Sequence, residues 1–175
     1  ALVVCGLFTP PPARGEIFAA IDPSVNPWFP LAALGRDGGL LVVWEDRRGF
    51  EPNILGQARG ADGSALWADG GAPLAAWPRR QERSVVMADG DGGLFLTWLD
   101  NRVNPRDVYL QRFDASGVYM WEPADGLVVS AGSDAKANAR IVADGRGGVY
   151  VTWTDLRSGV GDVYGQRITA AGTRV

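Results

Sequence analysis

Short apolar runs separated by glycine-rich turns make up most of the chain. The most regular are Leu40–Asp46, Leu94–Asp100 and Val149–Asp155, each apolar at successive positions up to a tryptophan. A strand with one buried face alternates apolar and polar residues, whereas these runs are apolar on both faces. No window carries apolar residues at helical spacing. The pattern therefore predicts an all-β chain whose central strands are covered on both sides.

The apolar runs belong to a repeat of 54 to 55 residues. Trp44, Trp98 and Trp153 are separated by 54 and then 55 positions. The other residues that keep this register are Asp46, Asp100, Asp155, Arg48, Arg102, Arg157, Gln57, Gln111, Gln166, Gly63, Gly117 and Gly172. Self-similarity at a fixed period is typical of proteins built from one supersecondary unit. A residue that occurs in every unit ordinarily holds that unit together, so we interpret these positions as structural.

Four strands are predicted in each repeat unit. They are Ile17–Ala20, Pro30–Leu34, Leu40–Asp46 and Ile54–Arg59, then Ala72–Ala76, Ser84–Ala88, Leu94–Asp100 and Asp107–Phe113, then Leu127–Ser130, Ala139–Ala143, Val149–Asp155 and Asp162–Ile168. Short four-stranded antiparallel units covered on both faces are typical of β-propeller blades. The sequence predicts three such blades in one propeller domain, over residues 14–67, 68–121 and 122–175. A two-sheet sandwich fits less well, because sandwiches do not need identical units at fixed spacing.

The number of predicted blades does not decide how, or whether, the ring is closed. Closed propellers typically have about four to eight blades, and this chain carries three. The blades are part of a larger ring in a longer protein, or copies associate to close one, for instance two sets of three. An open arc is the third alternative, and it would leave apolar faces and strand edges bare.

Residues 1–13 stand outside the repeat and are predicted to be an apolar leader or a clasp. The segment is uncharged up to Pro12 and is too short to span a bilayer as a helix. Three interpretations compete: the tail of a secretion signal, an edge strand or clasp on the first unit, and a lipoprotein signal with Cys5 as the lipidated residue. Val4 argues against the last, since lipid-attachment signals prefer a small residue there. We expect an extracellular or cell-surface protein with no transmembrane segment.

Charge and composition exclude several classes of function. The formal net charge is −3, which argues against a nucleic-acid partner, because phosphate binding needs net positive charge. The chain has no histidine, the commonest general base and a frequent metal ligand. One cysteine allows neither an internal disulfide nor a thiolate zinc site. We expect no metal and no cofactor.

Two long segments carry a family resemblance. GGLFLTWLDNR…RDVYLQRFDASG…W and GGVYVTWTDLRSGVGDVYGQRITAAG resemble a repeat of large secreted bacterial proteins, mostly uncharacterised, which are similar to sialidase-like β-propellers. The resemblance covers about Leu31 to the C-terminus and implies the blade rather than an activity. The sialidase Asp-box (S-x-D-x-G-x-T-W) is not matched. The first unit departs from the pattern, with Asn53 for aspartate, Leu55 for tyrosine and Ala58 for arginine.

The repeated polar residues suggest structural roles. Arg102 and Asp107 flank one hairpin loop, so we predict an ion pair across it, with the arginine stem on the tryptophan face. The equivalent predicted pairs are Arg157 with Asp162 and, weakened, Arg48 with Asn53. The repeated glutamines lie mid-strand, where a buried amide is expected to hydrogen-bond to the backbone. A catalytic role for the repeated aspartates is disfavoured, because catalysis needs an asymmetric set of groups in one pocket.

Function on such a scaffold is expected in residues that break the repeat. These are Trp28, Trp77, Arg79, Arg80, Glu82, Arg83, Glu45, Tyr119 and Lys136. Exposed tryptophan beside arginine is typical of a sugar or peptide contact, so Trp28, Trp77, Arg79, Arg80 and Tyr119 are the candidate binding residues. Alternatively, the two tryptophans fill space between blades.

These observations favour a non-catalytic extracellular scaffold or interaction module. Its expected ligands are a glycan, a peptide or another copy of itself. One alternative is a sialidase-like glycoside hydrolase whose acids lie in loops outside this segment; the non-repeated acids are Glu45, Glu51, Glu82 and Glu122, with no pairing implied. Another alternative is a self-assembling extracellular structural protein.

Overall fold

The computed structural model describes residue 21, residues 25–103 and residues 105–175, and this part of the chain is all-β, as predicted. Its strands are β1 (Pro27–Leu34), β2 (Leu40–Asp46), β3 (Asn53–Arg59), β4 (Ala72–Ala75), β5 (Gln81–Ala88), β6 (Leu94–Asp100), β7 (Asp107–Phe113), β8 (Leu127–Ser130), β9 (Lys136–Ala143), β10 (Val149–Asp155) and β11 (Asp162–Ile168), with a 3₁₀ turn at Arg36–Gly38. The segment 1–13 with Cys5, and the predicted strand Ile17–Ala20, lie outside the described residues.

The strands form three antiparallel sheets in which sequence neighbours pair. Sheet 1 has the order β1-β2-β3-β4 and sheet 2 the order β5-β6-β7-β8. Sheet 3 has the order β9-β10-β11, with three strands among the described residues. Each central strand pairs over its full length with the strand after it, for example Leu94 with Phe113 and Asp100 with Asp107. Short turns such as residues 89–93 join some of the consecutive strands, and the longer connections 60–71 and 114–126 join the others.

The predicted grouping of strands into sets is wrong for two of them. The sequence assigned Ala72–Ala76 and Leu127–Ser130 to the strands that follow, whereas β4 pairs with β3 and β8 pairs with β7. The reason lies in the chain between β3 and β4, which Gln57 holds against its own sheet by accepting a hydrogen bond from the Trp67 N–H at 2.9 Å. Sheet 1 therefore extends past the predicted unit boundary at 67/68, and sheet 2 past the one at 121/122.

The core consists of apolar side chains packed between neighbouring sheets. Leu41 and Val43 of sheet 1 meet Leu96 and Trp98 of sheet 2 in one cluster. The opposite face of β6 contributes to a second cluster, shared with sheet 3. Every residue of β6 is buried, which explains why its sequence is apolar on both faces.

The same packing relation joins sheet 1 to sheet 2 and sheet 2 to sheet 3. β5 packs on β1, β2 and β3, and β9 packs on β5, β6 and β7. The first strands of the three sheets are therefore neighbours. We call the end where β2, β6 and β10 finish at Asp46, Asp100 and Asp155 the Asp end, and the end where they begin the Gly-Gly end. Nowhere in the described ranges does a helix reach the length and apolarity needed to cross a bilayer.

Candidate functional site: a cavity at the strand bulges

Each first strand carries a bulge opposite the repeat tryptophan. Pairing jumps from Trp28 to Leu31 in β1, from Glu82 to Val85 in β5, and across Trp153 in the pairing of β9 with β10. Two residues of the first strand thus stand opposite one tryptophan of the second. An extra residue of this kind is left unpaired and bends the strand, and bulges are frequent beside functional sites.

The bulges hold non-glycine residues in the left-handed region at matching positions of the repeat. Phe29, Arg83 and Asn138 have φ angles of 49°, 54° and 53°. Such a conformation costs free energy in a residue with a side chain and persists only where the surroundings impose it. The position is repeated in geometry but not in chemistry, because it holds an aromatic ring, a guanidinium and an amide in turn.

All three bulge residues line one cavity of about 470 Å³, which we call the bulge cavity. Its walls come from the first strands of all three sheets and from the end of β2. Ligand pockets are commonly about 300–1,000 Å³, with a few polar groups set in an apolar lining. The bulge cavity has a volume in that range, but its lining is more polar, with seven polar or charged residues among the eleven that line it.

Two buried carboxylates border the cavity, and both are bound by neighbours. Glu45 accepts hydrogen bonds from the Arg47 guanidinium at 2.9 Å and from the Arg83 backbone N–H at 2.8 Å. Glu82 accepts one from Arg106 at 3.0 Å and pairs with Arg80 at 3.5 Å. Their negative charge is therefore compensated within the protein.

Two guanidinium groups of the cavity have no carboxylate partner. Within the described residues the Arg83 side chain makes no hydrogen bond or ion pair, and the Arg140 side chain donates only to the carbonyl of Ala139, at 2.7 Å. Both side chains are exposed. By contrast, Arg112 and Arg167 each bind an aspartate at 2.8 Å. The bulge cavity thus offers uncompensated positive charge, although the chain as a whole is acidic.

An aromatic pair lies at the rim of the cavity. The rings of Trp28 and Phe29 are 6.2 Å apart, and the Arg47 guanidinium lies 5.1 Å and 5.3 Å from their centroids. The two rings are 48% and 60% exposed, which leaves their faces accessible. Aromatic side chains beside arginine are the residues that most often dominate binding free energies.

The structure does not bring the predicted binding residues together. Trp28 lies beside the bulge cavity, whereas Arg79 and Arg80 line a separate hollow of about 320 Å³ at the Asp end. Trp77 lies near that hollow, with its backbone N–H bonded to Gln81. Tyr119 is at the Gly-Gly end, where it bridges to Phe113.

Sequence reasoning missed most residues of the bulge cavity. Phe29, Asn138 and Arg140 were not singled out, and Arg83 was noted only as an interruption of the repeat. A search for repeated residues passes over them, because their side chains differ from sheet to sheet. The available signal was their register, since positions 29, 83 and 138 are separated by 54 and 55 residues, like the tryptophans they oppose.

The repeated aspartates form a clasp with the tryptophan and the arginine, and the predicted pair across the loop is wrong. Asp100 accepts hydrogen bonds from Trp98 Nε1 at 2.9 Å and from the Arg102 guanidinium at 2.7 Å. The guanidinium lies 4.3 Å from the centroid of the Tyr109 ring rather than on the tryptophan face. Arg102 therefore binds the aspartate two residues before it, because that carboxylate already faces the loop at the end of the strand.

The clasp recurs in the other two sheets, with both the tryptophan bond and the arginine bond in sheet 3 and the arginine bond in sheet 1. The third sheet repeats it with Trp153 at 3.1 Å and Arg157 at 2.6 Å from Asp155, so Asp162 is not the partner of that arginine. The hydrogen bonds from Arg157 and Trp153 lower the pKa of Asp155 well below its ordinary value. In sheet 1, Arg48 binds Asp46 at 2.9 Å, so the predicted pairing with Asn53 is wrong there too.

The repeated glutamines hydrogen-bond to the backbone, as predicted. Gln111 donates to the carbonyl of Trp121 at 2.9 Å, and Gln57 donates to the carbonyl of Ala68 at 3.0 Å. Gln166 also donates to a backbone carbonyl after its strand, that of Val175, at 2.7 Å. These bonds fix the chain that follows the third strand of each sheet.

The tryptophan held by the glutamine then contacts the next sheet. Trp121 Nε1 donates to the carbonyl of Ala170 at 3.0 Å, and Trp67 Nε1 donates to Ala115 at 2.8 Å. In both cases the ring covers the glycine of the receiving turn, where an added Cβ at Gly172 would lie 2.9 Å from the Trp121 ring. We call this contact the tryptophan latch.

Lys136 is buried between sheets 2 and 3 and is not accessible to a ligand. Its ammonium group lies 3.6 Å from Asp107 and donates to the carbonyl of Asp134 at 2.5 Å. Burial raises the pKa of Asp107, and the charge of Lys136 opposes that rise. The equivalent position in sheet 2 holds Gln81, which is also fully buried.

Comparison with protein-family models and with curated proteins finds no match to this chain. Within the described ranges, no three acidic or cysteine side chains converge in a way that could hold a metal ion.

Proposed function

We propose that the three sheets are consecutive blades of a β-propeller and that the protein is a non-catalytic extracellular binding module. The support is the packing relation that repeats from sheet to sheet, with β1, β5 and β9 as neighbouring first strands. In a propeller the first strand of each blade lies nearest the central axis. The extracellular location is part of the proposal and comes from the sequence resemblance alone.

The ligand site of this module is the bulge cavity. The observation that carries this assignment is the convergence of Phe29, Arg83 and Asn138, three left-handed residues at one repeat position, on a single cavity. A purely structural bulge would not need a different side chain in each sheet, whereas recognition of an asymmetric ligand does.

The ligand carries a carboxylate, as an acidic glycan or an acidic peptide does. Arg83 and Arg140 supply charged donors that no carboxylate of the described chain occupies, and guanidinium binds carboxylate with matched geometry. The exposed ring of Phe29 supplies an apolar surface for the rest of the ligand. Asn138 adds an amide that both donates and accepts.

The test is calorimetric titration of the protein with tri-galacturonate, its methyl ester and a glutamate-rich peptide. The galacturonate and the peptide distinguish a glycan from a peptide, and the ester removes only the charge. We expect Arg83→Ala to weaken the binding of the acidic ligand at least tenfold, since a hydrogen bond to a charged group contributes about 1.5–3 kcal/mol.

The matched control is Arg146→Ala, which removes the same charge from an exposed turn at the Gly-Gly end. It should leave the dissociation constant within a factor of two. Equal loss of affinity in both variants would mean that overall charge, and not the bulge cavity, attracts the ligand. Equal binding of the acid and its methyl ester would contradict the carboxylate assignment.

A glycoside hydrolase is the second candidate, because one observation favours it. Glu45 and Glu82, which the sequence left unpaired, both line the bulge cavity. Two carboxyl groups across one site are what glycoside hydrolysis requires. Release of nitrophenol from aryl glycosides by the protein, lost in both Glu45→Gln and Glu82→Gln, would establish hydrolysis and overturn the non-catalytic proposal.

A further inference from the structure

Two smaller hollows adjoin the bulge cavity at the Asp end, and the three share lining residues. Arg47 lines both the bulge cavity and a hollow of about 230 Å³, which we call the Phe50 hollow. Arg80 in turn lines the Phe50 hollow and the hollow of about 320 Å³ that also contains Arg79. The three cavities are therefore consecutive parts of one surface depression, which we call the long groove.

Hydrogen bonds within and between sheets 1 and 2 fix the backbone of the long groove. The Gln81 backbone N–H donates to the carbonyl of Pro52, and the Asn101 backbone N–H donates to the carbonyl of Arg80, both at 3.0 Å. The buried Gln81 amide also donates to the carbonyl of Arg79 at 2.7 Å, beside a left-handed φ angle of 74° at that arginine. A backbone that is fixed before binding loses less conformational entropy when a ligand enters.

Uncompensated positive charge lies at both ends of the long groove. Arg83 and Arg140 supply it in the bulge cavity, as described above. At the other end, the exposed Arg79 side chain makes no hydrogen bond or ion pair with any residue that the structure describes. Five arginines and three glutamates line the groove as a whole, and the glutamate of the outer hollow, Glu51, pairs with Arg80 at 3.8 Å. A ligand with one carboxylate can satisfy only one end, whereas a chain with repeated carboxylates satisfies both.

An apolar surface lies between the two charged ends. The Phe50 ring is 99% exposed and borders its hollow together with Pro52. Phe29 presents another exposed ring in the bulge cavity. Covering such rings with a ligand removes apolar surface from water, and aromatic residues beside arginine often dominate binding free energies. The long groove thus presents both charged donors and ring faces along its length.

The two outer hollows favour a glycan over a peptide as the ligand. Every residue that lines them lies in a connection between strands. Addition of an extended peptide to a strand edge, a common mode of peptide binding, therefore has no template among the described residues of these hollows. A chain of acidic sugars carries carboxylates along its length and is bound by side-chain donors and ring faces, which the hollows do supply.

We propose that the long groove binds a linear acidic polysaccharide, whose carboxylates reach Arg83 and Arg140 at one end and Arg79 at the other. This ligand assignment rests on the function proposed above and extends it from one acidic group to a chain of acidic sugars. Contacts at the second end are intramolecular once the first end has bound, so they add affinity without a second association step. Longer oligomers therefore bind more tightly than short ones.

Calorimetric titration with tri-galacturonate and hexa-galacturonate measures this gain as the ratio of two dissociation constants. We expect the hexamer to bind more tightly than the trimer by about tenfold or more, because it gains at least one further hydrogen bond to a charged group. Arg79→Gln and Phe50→Ala should each remove most of this gain, since they act on the outer part of the groove.

Each variant has a matched control at a distance from the long groove. Arg146→Gln removes the same charge from an exposed turn, and Met120→Ala shortens an exposed apolar side chain. Both should leave the ratio of the two dissociation constants as it is in the unmodified protein. Thermal unfolding verifies that all four variants fold.

Failure of the long groove and failure of the bulge cavity give different results. A hexamer that binds no more tightly than the trimer would overturn the long groove alone. So would a gain that Arg79→Gln and Phe50→Ala leave intact, because a longer chain also offers more registers to one short site. Trimer binding that Arg83→Ala does not weaken would overturn the proposed function and the long groove together. The same gain with hexa-glutamate over tri-glutamate, and not with the galacturonates, would assign the groove to an acidic peptide and overturn the glycan.

Discussion

The two ends of the sheets differ in what the repeat keeps constant. At the Gly-Gly end the tryptophan latch recurs, with Trp67 Nε1 donating to the carbonyl of Ala115 at 2.8 Å and Trp121 Nε1 donating to the carbonyl of Ala170 at 3.0 Å, so the same contact joins consecutive sheets. At the Asp end, the bulge position changes from an aromatic ring to a cation to an amide. The comparison indicates that a contact between sheets is repeated in kind at the Gly-Gly end, whereas the bulge position at the Asp end varies beside a repeated clasp. The side chains that vary are therefore different from those that form the latch and the clasp.

Among the substitutions that test this comparison, Trp121→Ala is expected to have the largest effect on stability, because it removes a tryptophan latch. The ring packs on Phe95 at 5.7 Å and on the turn of the next sheet, so its loss leaves a cavity between sheets 2 and 3. We expect the free energy of unfolding to fall by about 3–5 kcal/mol in urea titrations. Tyr119→Ala, at an exposed residue nearby, is the control. A similar small loss in both variants would contradict the latch.

A smaller loss is expected from Gly172→Ala, with Gly145→Ala as its matched control. Both glycines are left-handed, at φ 77° and 74°, but only Gly172 has the Trp121 ring against it. The control should cost about 1–2 kcal/mol from the backbone alone. The additional loss of stability in Gly172→Ala, seen as a lower midpoint of thermal unfolding, measures the contact of the turn with the Trp121 ring. Identical midpoints would show that the ring moves away freely.

The loss of stability at low pH should change in opposite directions when two different aspartates are replaced by asparagine. The pKa of Asp155 is lowered in the folded state, so its contribution is present above the ordinary pKa and lost as pH falls. Burial raises the pKa of Asp107, so that residue favours folding below its ordinary pKa and loses this effect as pH rises. Asp155→Asn should flatten acid unfolding, and Asp107→Asn should steepen it slightly. Chemical denaturation from pH 2.5 to pH 6, a range set about the ordinary pKa of aspartate, is the measurement.

The smallest effect on stability is expected from Arg83→Ala at the Asp end. The side chain is exposed and has no partner among the described residues, so the free energy of unfolding should change by less than about 0.5 kcal/mol. Thermal unfolding of the same sample used for titration checks this. Loss of ligand binding with an unchanged free energy of unfolding would support the difference between the two ends. A large loss of stability would contradict it.

The sequence was sufficient for the existence of the eleven described strands, but not for the start of the first strand in each sheet, which lies three residues earlier than predicted, nor for the boundaries of the sheets. Periodicity locates β2, β6 and β10 because their apolar faces and tryptophans repeat. It does not say where a unit begins, since any starting point gives the same period. The assignment of β4 to sheet 1 depends on the bond between Gln57 and Trp67, which is a tertiary contact within the repeat.

The candidate site was less predictable, for two physical reasons. The partner of Arg102 depends on the direction of the Asp100 side chain at the strand end, and sequence spacing allows Asp107 equally well. The bulge cavity depends on a left-handed backbone at Phe29 and Arg83, which neither residue type signals in the sequence. Variation at a repeated position, rather than repetition, was the informative signal.

The single-residue bulge has a consequence for how such proteins change over time. Each sheet contributes one position to the bulge cavity, and that side chain is not part of the clasp or the latch. Substitution at residues 29, 83 and 138 therefore alters the cavity wall without disturbing the contacts that join the sheets. On the function that we propose, single substitutions at these positions change the ligand specificity one sheet at a time, while the latch and the clasp stay the same.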